Sequence, residues 1–355
     1  MSMHPRWKEF VDRHALRAPI LQAPMAGVPA VPLARAVVEA GGMAAFGGVL
    51  SSPAEIAAWM DAFRDAGGGP AQINLWVPDP PPARDAGAEA RTRAFLGEWG
   101  PPVPVAAGDA VPADFDAQFD VLLAARPAVA SSIMGLFRPD QVERLRAAGI
   151  AWFACATTAE EALAAQAAGA DAVVAQGAEA GGHRGSFDAA KAESQAVGLF
   201  ALLPRLVDVL EVPVIAAGGI GDGRGIAAAL ALGASAVQIG TALLRSPEAA
   251  IPAAWQEALA DAGPERTMLT RAFSGRAGRA LDTAYVRAAA SEAAPPPRPY
   301  PVQRALTGPM RTAAAREGRI DAMQAWAGQG AWLARSASAQ GLVEAWWREA
   351  RALLA

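Results

Sequence analysis

The sequence predicts an α/β protein: a (β/α)8 barrel with an insertion after its third strand and a mainly helical C-terminal appendage. Three observations lead there. Eight short runs rich in Val, Ile and Ala recur between Pro19 and Leu243, with helical segments between most of them. These runs are continuously apolar rather than alternating, as strands covered on both faces must be. The unusual residues, glycines, side-chain amides and one histidine, gather near the C-terminal ends of the runs, where such a barrel carries its chemistry.

The strand candidates, in order, are PILQAPM (19–25), MAAFGG (43–48), AQINLWVP (71–78), AVASSI (128–133), IAWFACAT (150–157), DAVVAQG (171–177), VPVIAAGG (212–219) and AVQIGTAL (236–243). SPAEIAAWMDAFRDAG reads as a helix with a Ser cap, Pro at its first position and a glycine stop. RPDQVERLRAAG and TAEEALAAQAAG repeat that form, with acids in the first turn. Eight such units close most naturally into a barrel, and a doubly wound open sheet is the fallback. The Pro-rich stretches 78–82 and 101–112 place an insertion in the third unit. After Arg245 the alternation stops, and the rest reads as helical, broken by EAAPPPRPYP (292–301). The expected division is a lead-in over 1–18, the barrel over 19–245 and an appendage over 246–355 covering or flanking the mouth.

With 355 residues, 53% of them hydrophobic and 19% charged, the chain has the composition of a packed globular protein. A net charge of -4 gives no footprint for nucleic acid. One cysteine, Cys155, excludes an internal disulfide framework and a multi-cysteine metal site. Residues 225–244 carry no charge, yet a Gly-Ala-Ser break and the polar QIGT favour a helix and a buried strand over a membrane span. The opening residues are too charged for a signal peptide, so a cytoplasmic protein without membrane partners is expected, as monomer or homodimer.

Of three histidines, His4 and His14 precede the patterned region, while His183 sits in QGAEAGGHRGSF between Gly181-Gly182 and Arg184-Gly185. The first run ends in Ala23-Pro24-Met25, the third carries Asn74, the sixth ends in Gln176, the seventh passes into Gly218-Gly219, and the eighth holds Gln238-Ile239-Gly240-Thr241. Glycine loops after the seventh and eighth strands suit a phosphate, through exposed N–H groups and the dipole of the next helix. Amides at Asn74 and Gln176 suit the edge of a heteroaromatic ring such as a flavin, or else serve neighbouring backbone. Arg184 either steers anions or lies on the surface.

PILQAPMAGVPAVPLARAVVEAGGMAAFGGVLSS, QINLWVP, QGAEAGGHRGSF, VPVIAAGGIGDGRGIAAALALGASAVQIGTALL, TRAFSGRAGRAL and the tail YPVQRALTGPMRTAAA together resemble the nitronate monooxygenases. The resemblance implies an FMN-dependent barrel enzyme oxidising alkyl nitronates with O2 to a carbonyl compound and nitrite. It places FMN against Met25, Asn74, Gln176, Gly181, Gly219 and Gln238 through Thr241. It makes His183 the active-site histidine, and it sets Tyr300 on the substrate side. On a neutral nitroalkane His183 would remove the α-proton; on a preformed nitronate it would position the anion.

A flavin-dependent enoyl-acyl carrier protein reductase or quinone reductase is the alternative, since QAPM and AGGH are shared among FMN barrels. A Schiff-base enzyme lacks a strand-end lysine, because Lys8 and Lys191 lie elsewhere. Cys155 falls mid-strand, which suits packing rather than nucleophilic attack. A metal hydrolase lacks the histidines.

Overall fold

The computed structural model describes residues 6–28 and 30–355, so His4 lies outside the described residues. Eight parallel strands form one sheet: β1 (Ile20–Gln22), β2 (Ala44–Gly47), β3 (Ala71–Trp76), β4 (Val129–Ile133), β5 (Ala151–Ala156), β6 (Ala172–Gln176), β8 (Val214–Ala217) and β9 (Ala236–Ile239). β7 (Gly182–His183), β10 (Thr267–Thr270) and β11 (Gly278–Leu281) form a second, antiparallel sheet. Each of the eight sequence-predicted runs contains one of the parallel strands, shortened by a few residues at one or both ends. β1 stops two residues before Pro24, which has no N–H to donate.

The order β1-β9-β8-β6-β5-β4-β3-β2 leaves β1 and β2 at the two edges. They meet through a parallel bridge, Leu21 opposite Met43, with Gln22 N donating to Met43 O at 2.9 Å and Met43 N to Ile20 O at 3.1 Å. That closes the cylinder and discards the open-sheet fallback.

Alternate strand residues face two apolar regions, which is why the runs lack polar positions. Inside the barrel, Leu21, Met43, Val129, Phe153, Val174 and Ile215 pack together. Phe10 and Val11 of the helix Arg6–Arg13 join them and plug the N-terminal end. His14 packs its ring against Phe10 and Phe153 there. Outside, the other strand faces are covered by helices whose caps match the sequence expectations. Ser52 and Glu55 form a capping box on Pro53–Asp65, Thr158 caps Ala159–Ala167, and Gly149 ends Pro139–Ala148 at φ 69°.

The insertion after β3 holds the helix Ala86–Leu96 and a 3-10 turn, Val105–Asp109, before the helix Phe115–Ala125 returns to the barrel. The charge-free stretch is the helix Gly223–Ala231 followed by β9. Among the described residues, no helix is long and apolar enough to cross a membrane. Beyond Arg245 the expectation of helices is incomplete. The helices Ala253–Ala260, Ala284–Ala289, Val302–Leu306, Gly308–Glu317 and Ala339–Leu354 form, but so do β10 and β11. β11 pairs with β7, Gly278 opposite His183 and Arg279 opposite Gly182, so the tail is stitched to the loop after β6.

Candidate active site

A cavity of about 560 Å³ opens at the C-terminal ends of the strands. The loop after β1 brings Ala23, Pro24 and Met25 to it, and β3 brings Asn74. β6 and its loop bring Gln176, Gly181, Gly182 and His183. The β8 loop brings Gly218 and Gly219, the β9 end Gln238, Gly240 and Thr241, and the tail Tyr300. Ile239 is the exception: its side chain is 1% exposed in the core between barrel and helices, because neighbouring strand residues face opposite ways.

His183 is held from three sides. Its Nε2 lies 2.7 Å from Ser274 Oγ, and its ring is edge-on to Trp76 at 4.7 Å and tilted against Trp326 at 4.9 Å. The surface it keeps faces the cavity. Burial pushes its pKa down to about 3, helped by the positive charges of Arg304, Arg276 and Arg311, so the imidazole is neutral at pH 7. Tyr300 stacks on Trp76 at 4.7 Å and 15°, completing an aromatic wall.

One sequence-predicted role changes and another gains a second part. The Gln176 amide is used by its own loop: Nε2 donates to His183 O at 3.0 Å, and Oε1 accepts from Gly185 N at 2.8 Å. It braces the histidine loop and still lines the cavity, with one amide hydrogen unused among the described residues. Arg184 neither steers anions nor lies on the surface. It is 4% exposed and donates to the carbonyls of Gln176, Thr157 (3.3 Å) and Gln195 (3.4 Å), tying strand ends together.

The other amides remain open to a ligand. Gln238 Oε1 accepts from Gln72 Nε2 at 3.3 Å, and Gln72 also donates to Gln22 O at 3.1 Å. That orientation leaves the Gln238 NH2 to donate to a ligand. Asn74 donates to Ser131 Oγ at 3.0 Å, which leaves its Oδ1 as an acceptor.

Gly218 and Gly219 have φ of 119° and 70°, where a side chain would be strained. Among the described residues, their N–H groups and that of Gly240 find no protein acceptor. Two N–H groups of the next helix are already used within the protein. Asp222 caps that helix by accepting from Gly225 N at 3.0 Å, and Glu349 accepts from Gly223 N at 3.2 Å. An anion there would rely mainly on the loop N–H groups.

The tail supplies what sequence reasoning missed. Arg304 and Arg311, on neighbouring helices, line the cavity. Arg311 is held by neutral acceptors: Thr307 Oγ1 at 3.0 Å, Gln324 Oε1 at 3.0 Å and Arg304 O at 2.9 Å. Burial, with the neighbouring Arg304 charge, lowers its pKa to about 9. Arg304 has no side-chain hydrogen bond or carboxylate among the described residues, and burial lowers its pKa too. Arg276, 1% exposed, pairs with Asp79 beyond β3 (Nε–Oδ2 2.8 Å) and donates to Ser186 O at 2.8 Å. The signal was in the sequence: VQRALTGPMRTAAARE carries three arginines and one acid, at its end. Cys155 lines the barrel floor with its thiol pushed up to about 12 by burial, so it is no nucleophile. Among the described residues no cluster of His, Cys, Asp and Glu could hold a metal.

This arrangement has close counterparts. Residues 8–349 match the family described as nitronate monooxygenase. The nitronate monooxygenase of Pseudomonas aeruginosa is 41% identical over 94% of this chain and 96% of its own length. That of Paraburkholderia phytofirmans is 39% identical over 92% and 90%. Among solved structures, a nitroalkane oxidase from Streptomyces ansochromogenes superposes with a TM-score of 0.88 at 38% identity, covering 98% of this chain and 99% of its own. FabK from Thermotoga maritima is more distant, with a TM-score of 0.75 at 26% identity over 97% and 96%. The chain belongs to the nitronate monooxygenase family.

Proposed function

We propose that this chain is an FMN-dependent enzyme that oxidises alkyl nitronates with O2 to a carbonyl compound and nitrite. One observation carries the reading: two arginines without carboxylate partners, Arg304 and Arg311, share a cavity with a neutral imidazole, His183. Buried cations are ordinarily paired. Here the compensating charge has to come from what binds, and a nitronate is a small anion.

The residues fit a flavin mononucleotide. The volume is in the range of cofactor sites. Unpaired N–H groups at Gly218, Gly219 and Gly240 suit its phosphate, while the Gln238 NH2 and Asn74 Oδ1 suit the ring's polar edge. A Cβ on Gly240 would lie 3.2 Å from Ala23 Cβ, so the backbone is already close-packed there. FMN, when bound, supplies the electron transfer and oxygen chemistry.

The protein's part is binding and protons. Arg304 and Arg311 balance the substrate's negative charge. Trp76, Tyr300 and Trp326 exclude water and strengthen that attraction. His183 faces the substrate, where it would take the α-proton of a neutral nitroalkane and position a nitronate that arrives preformed. We take residues 19–245 as the cofactor-binding barrel and 246–355 as the segment that finishes the mouth.

The test is an absorption spectrum of the purified protein, oxygen uptake and nitrite release with propionate 3-nitronate, and anaerobic mixing with NADH and NADPH. Bound flavin, nitronate-dependent uptake and no bleaching are expected. Rapid bleaching by a nicotinamide with no nitronate turnover would move the chain to the reductases.

A further inference from the structure

We infer that Ser274 is a positioning residue that fixes the tautomer of His183, keeping the proton on Nε2 and turning Nδ1 to the cavity as a proton acceptor. The inference rests on the functional reading only for its kinetic consequences; the tautomer itself follows from hydrogen-bond accounting.

Ser274 is fully buried and has one hydroxyl proton. Two acceptors compete for it: His183 Nε2 at 2.7 Å and Arg276 O at 3.2 Å. Among the described residues, the Arg276 carbonyl has no other donor, and Arg276 is 1% exposed. If the hydroxyl donated to Nε2, that buried carbonyl would be left unpaired, which proteins avoid. If Nε2–H donates to Oγ and Oγ–H donates to the carbonyl, every group is satisfied. The second arrangement leaves Nδ1, which has no protein partner among the described residues, with its lone pair free.

The mount is rigid. Gly275 N donates to Arg271 O at 2.8 Å, and Tyr285, Gln303 and Thr307 donate to the carbonyls of Ala272 and Phe273 at 2.7–3.0 Å. Arg184 N donates to Ala277 O at 2.9 Å, locking the histidine's strand to the serine's turn. The charged groups facing His183 are Arg304 and Arg311 from the tail helices and Arg276, itself paired with Asp79; Tyr300 is the titratable neighbour.

A neutral nitroalkane therefore meets a base. The α C–H bond breaks and its proton goes to Nδ1. The electron pair moves into the nitro group, giving a nitronate beside Arg304 and Arg311. The new imidazolium keeps its Nε2–H bond to Ser274. A substrate arriving already as nitronate skips this step, so the serine matters to one substrate form and not the other.

The test uses flavin-loaded, full-length Ser274→Ala and Ser274→Thr. Ser274→Ala is expected to keep its flavin and lose roughly tenfold to a hundredfold in kcat/KM for nitroethane, within the range of general-base effects. Turnover of preformed ethylnitronate should change less than about threefold, far below that range. The acid limb of the nitroethane pH profile should move to lower pH, because the imidazolium has lost an acceptor, and Ser274→Thr should restore rate and limb. Equal losses on both substrates with no rescue by threonine would reduce Ser274 to a structural role. Independently, 15N NMR of histidine-labelled protein reads the tautomer, with three histidines to assign and His183→Asn to identify the signal. A protonated Nδ1 and bare Nε2 in the parent overturn the inference even if nitroethane is not a substrate. A colourless protein inert to nitronates, yet showing the Nε2–H tautomer, would sink the functional reading and leave the serine assignment standing.

Discussion

Asp79→Ala tests how the tail is held over the barrel. Asp79 grips Arg276 with both oxygens, Nε–Oδ2 at 2.8 Å and Nη2–Oδ1 at 2.5 Å. The arginine side chain is 1% exposed and the aspartate 24%. Removing the carboxylate leaves the guanidinium buried with one remaining bond, to Ser186 O at 2.8 Å. Stranding one partner of a buried pair costs about 3–5 kcal/mol. Water can reach Asp79's side of the pair, so the lower end, about 3 kcal/mol, applies. For a chain this long the melting temperature falls about 2 °C per kcal/mol, giving a drop of roughly 6 °C. Thermal unfolding at pH 7 and a fixed scan rate, followed by circular dichroism and flavin release together, measures it. Arg276→Met in the Asp79→Ala background should recover much of the loss, since the stranded charge is gone. A drop under about 2 °C for Asp79→Ala, below one kcal/mol, would refute the claim that Arg276 depends on this partner.

Arg304→Gln should raise KM for a nitronate about tenfold, the equivalent of one charge-assisted hydrogen bond, with a smaller change in kcat. It should also shift the His183 limb of the pH–rate profile upward, because Arg304 is the largest of the charges depressing it; an unchanged KM would remove the anion role. His183 is held neutral with its pKa near 3, so the unfolded chain binds a proton the native state does not between about pH 6.5 and 3. Stability should fall as pH drops through that window, with a shallower slope in His183→Asn; parallel urea midpoints at pH 7 and 4 would contradict it. In Gly181→Ala the new Cβ would lie 2.5 Å from Gly328 N and 2.9 Å from Thr241 Oγ1, so flavin content after purification should fall. Full flavin content there would mean the cradle yields easily.

What could be read from the sequence was what local pattern decides. Eight apolar runs, Ser52 before Pro53, and Gly149 after a helix each report on their own neighbourhood, and each is where it was expected. The residues at the ends of β1, β3, β6, β8 and β9 converge because barrel closure puts strand ends together. The tail was harder. β7 is two residues long, β10 is half-buried at every position without alternation, and β11 opens with Gly278-Arg279. None of these carries a strand signature; they pair because the loop after β6 and the tail are pressed together. So Ser274, Arg304 and Trp326 could not be set beside His183 by pattern. Arg184 failed for another reason: a polar side chain's type does not say whether its partner is a ligand or a nearby carbonyl, and for Gln176 the same two alternatives had to stay open.

The two halves of the site divide the chemistry by charge. Nearly everything the barrel brings is neutral: the amides of Asn74 and Gln238, the N–H groups of Gly218, Gly219 and Gly240, and an imidazole kept uncharged. The cations come from beyond Arg245, as does the serine that touches the histidine. Neutral donors suit a cofactor that must be held through changes in its own charge, since a fixed cation beside it would favour one state. Uncompensated cations suit a substrate that is an anion when it reacts, and its products divide by charge into a neutral carbonyl compound and anionic nitrite. Arg304 and Arg311 therefore favour the two anions, nitronate and nitrite, over the carbonyl compound, which leaves freely. Because Arg304 also lowers the basicity of His183, the histidine gains proton affinity as an anion settles beside the arginines. Binding and proton transfer are thereby coupled through one patch of charge.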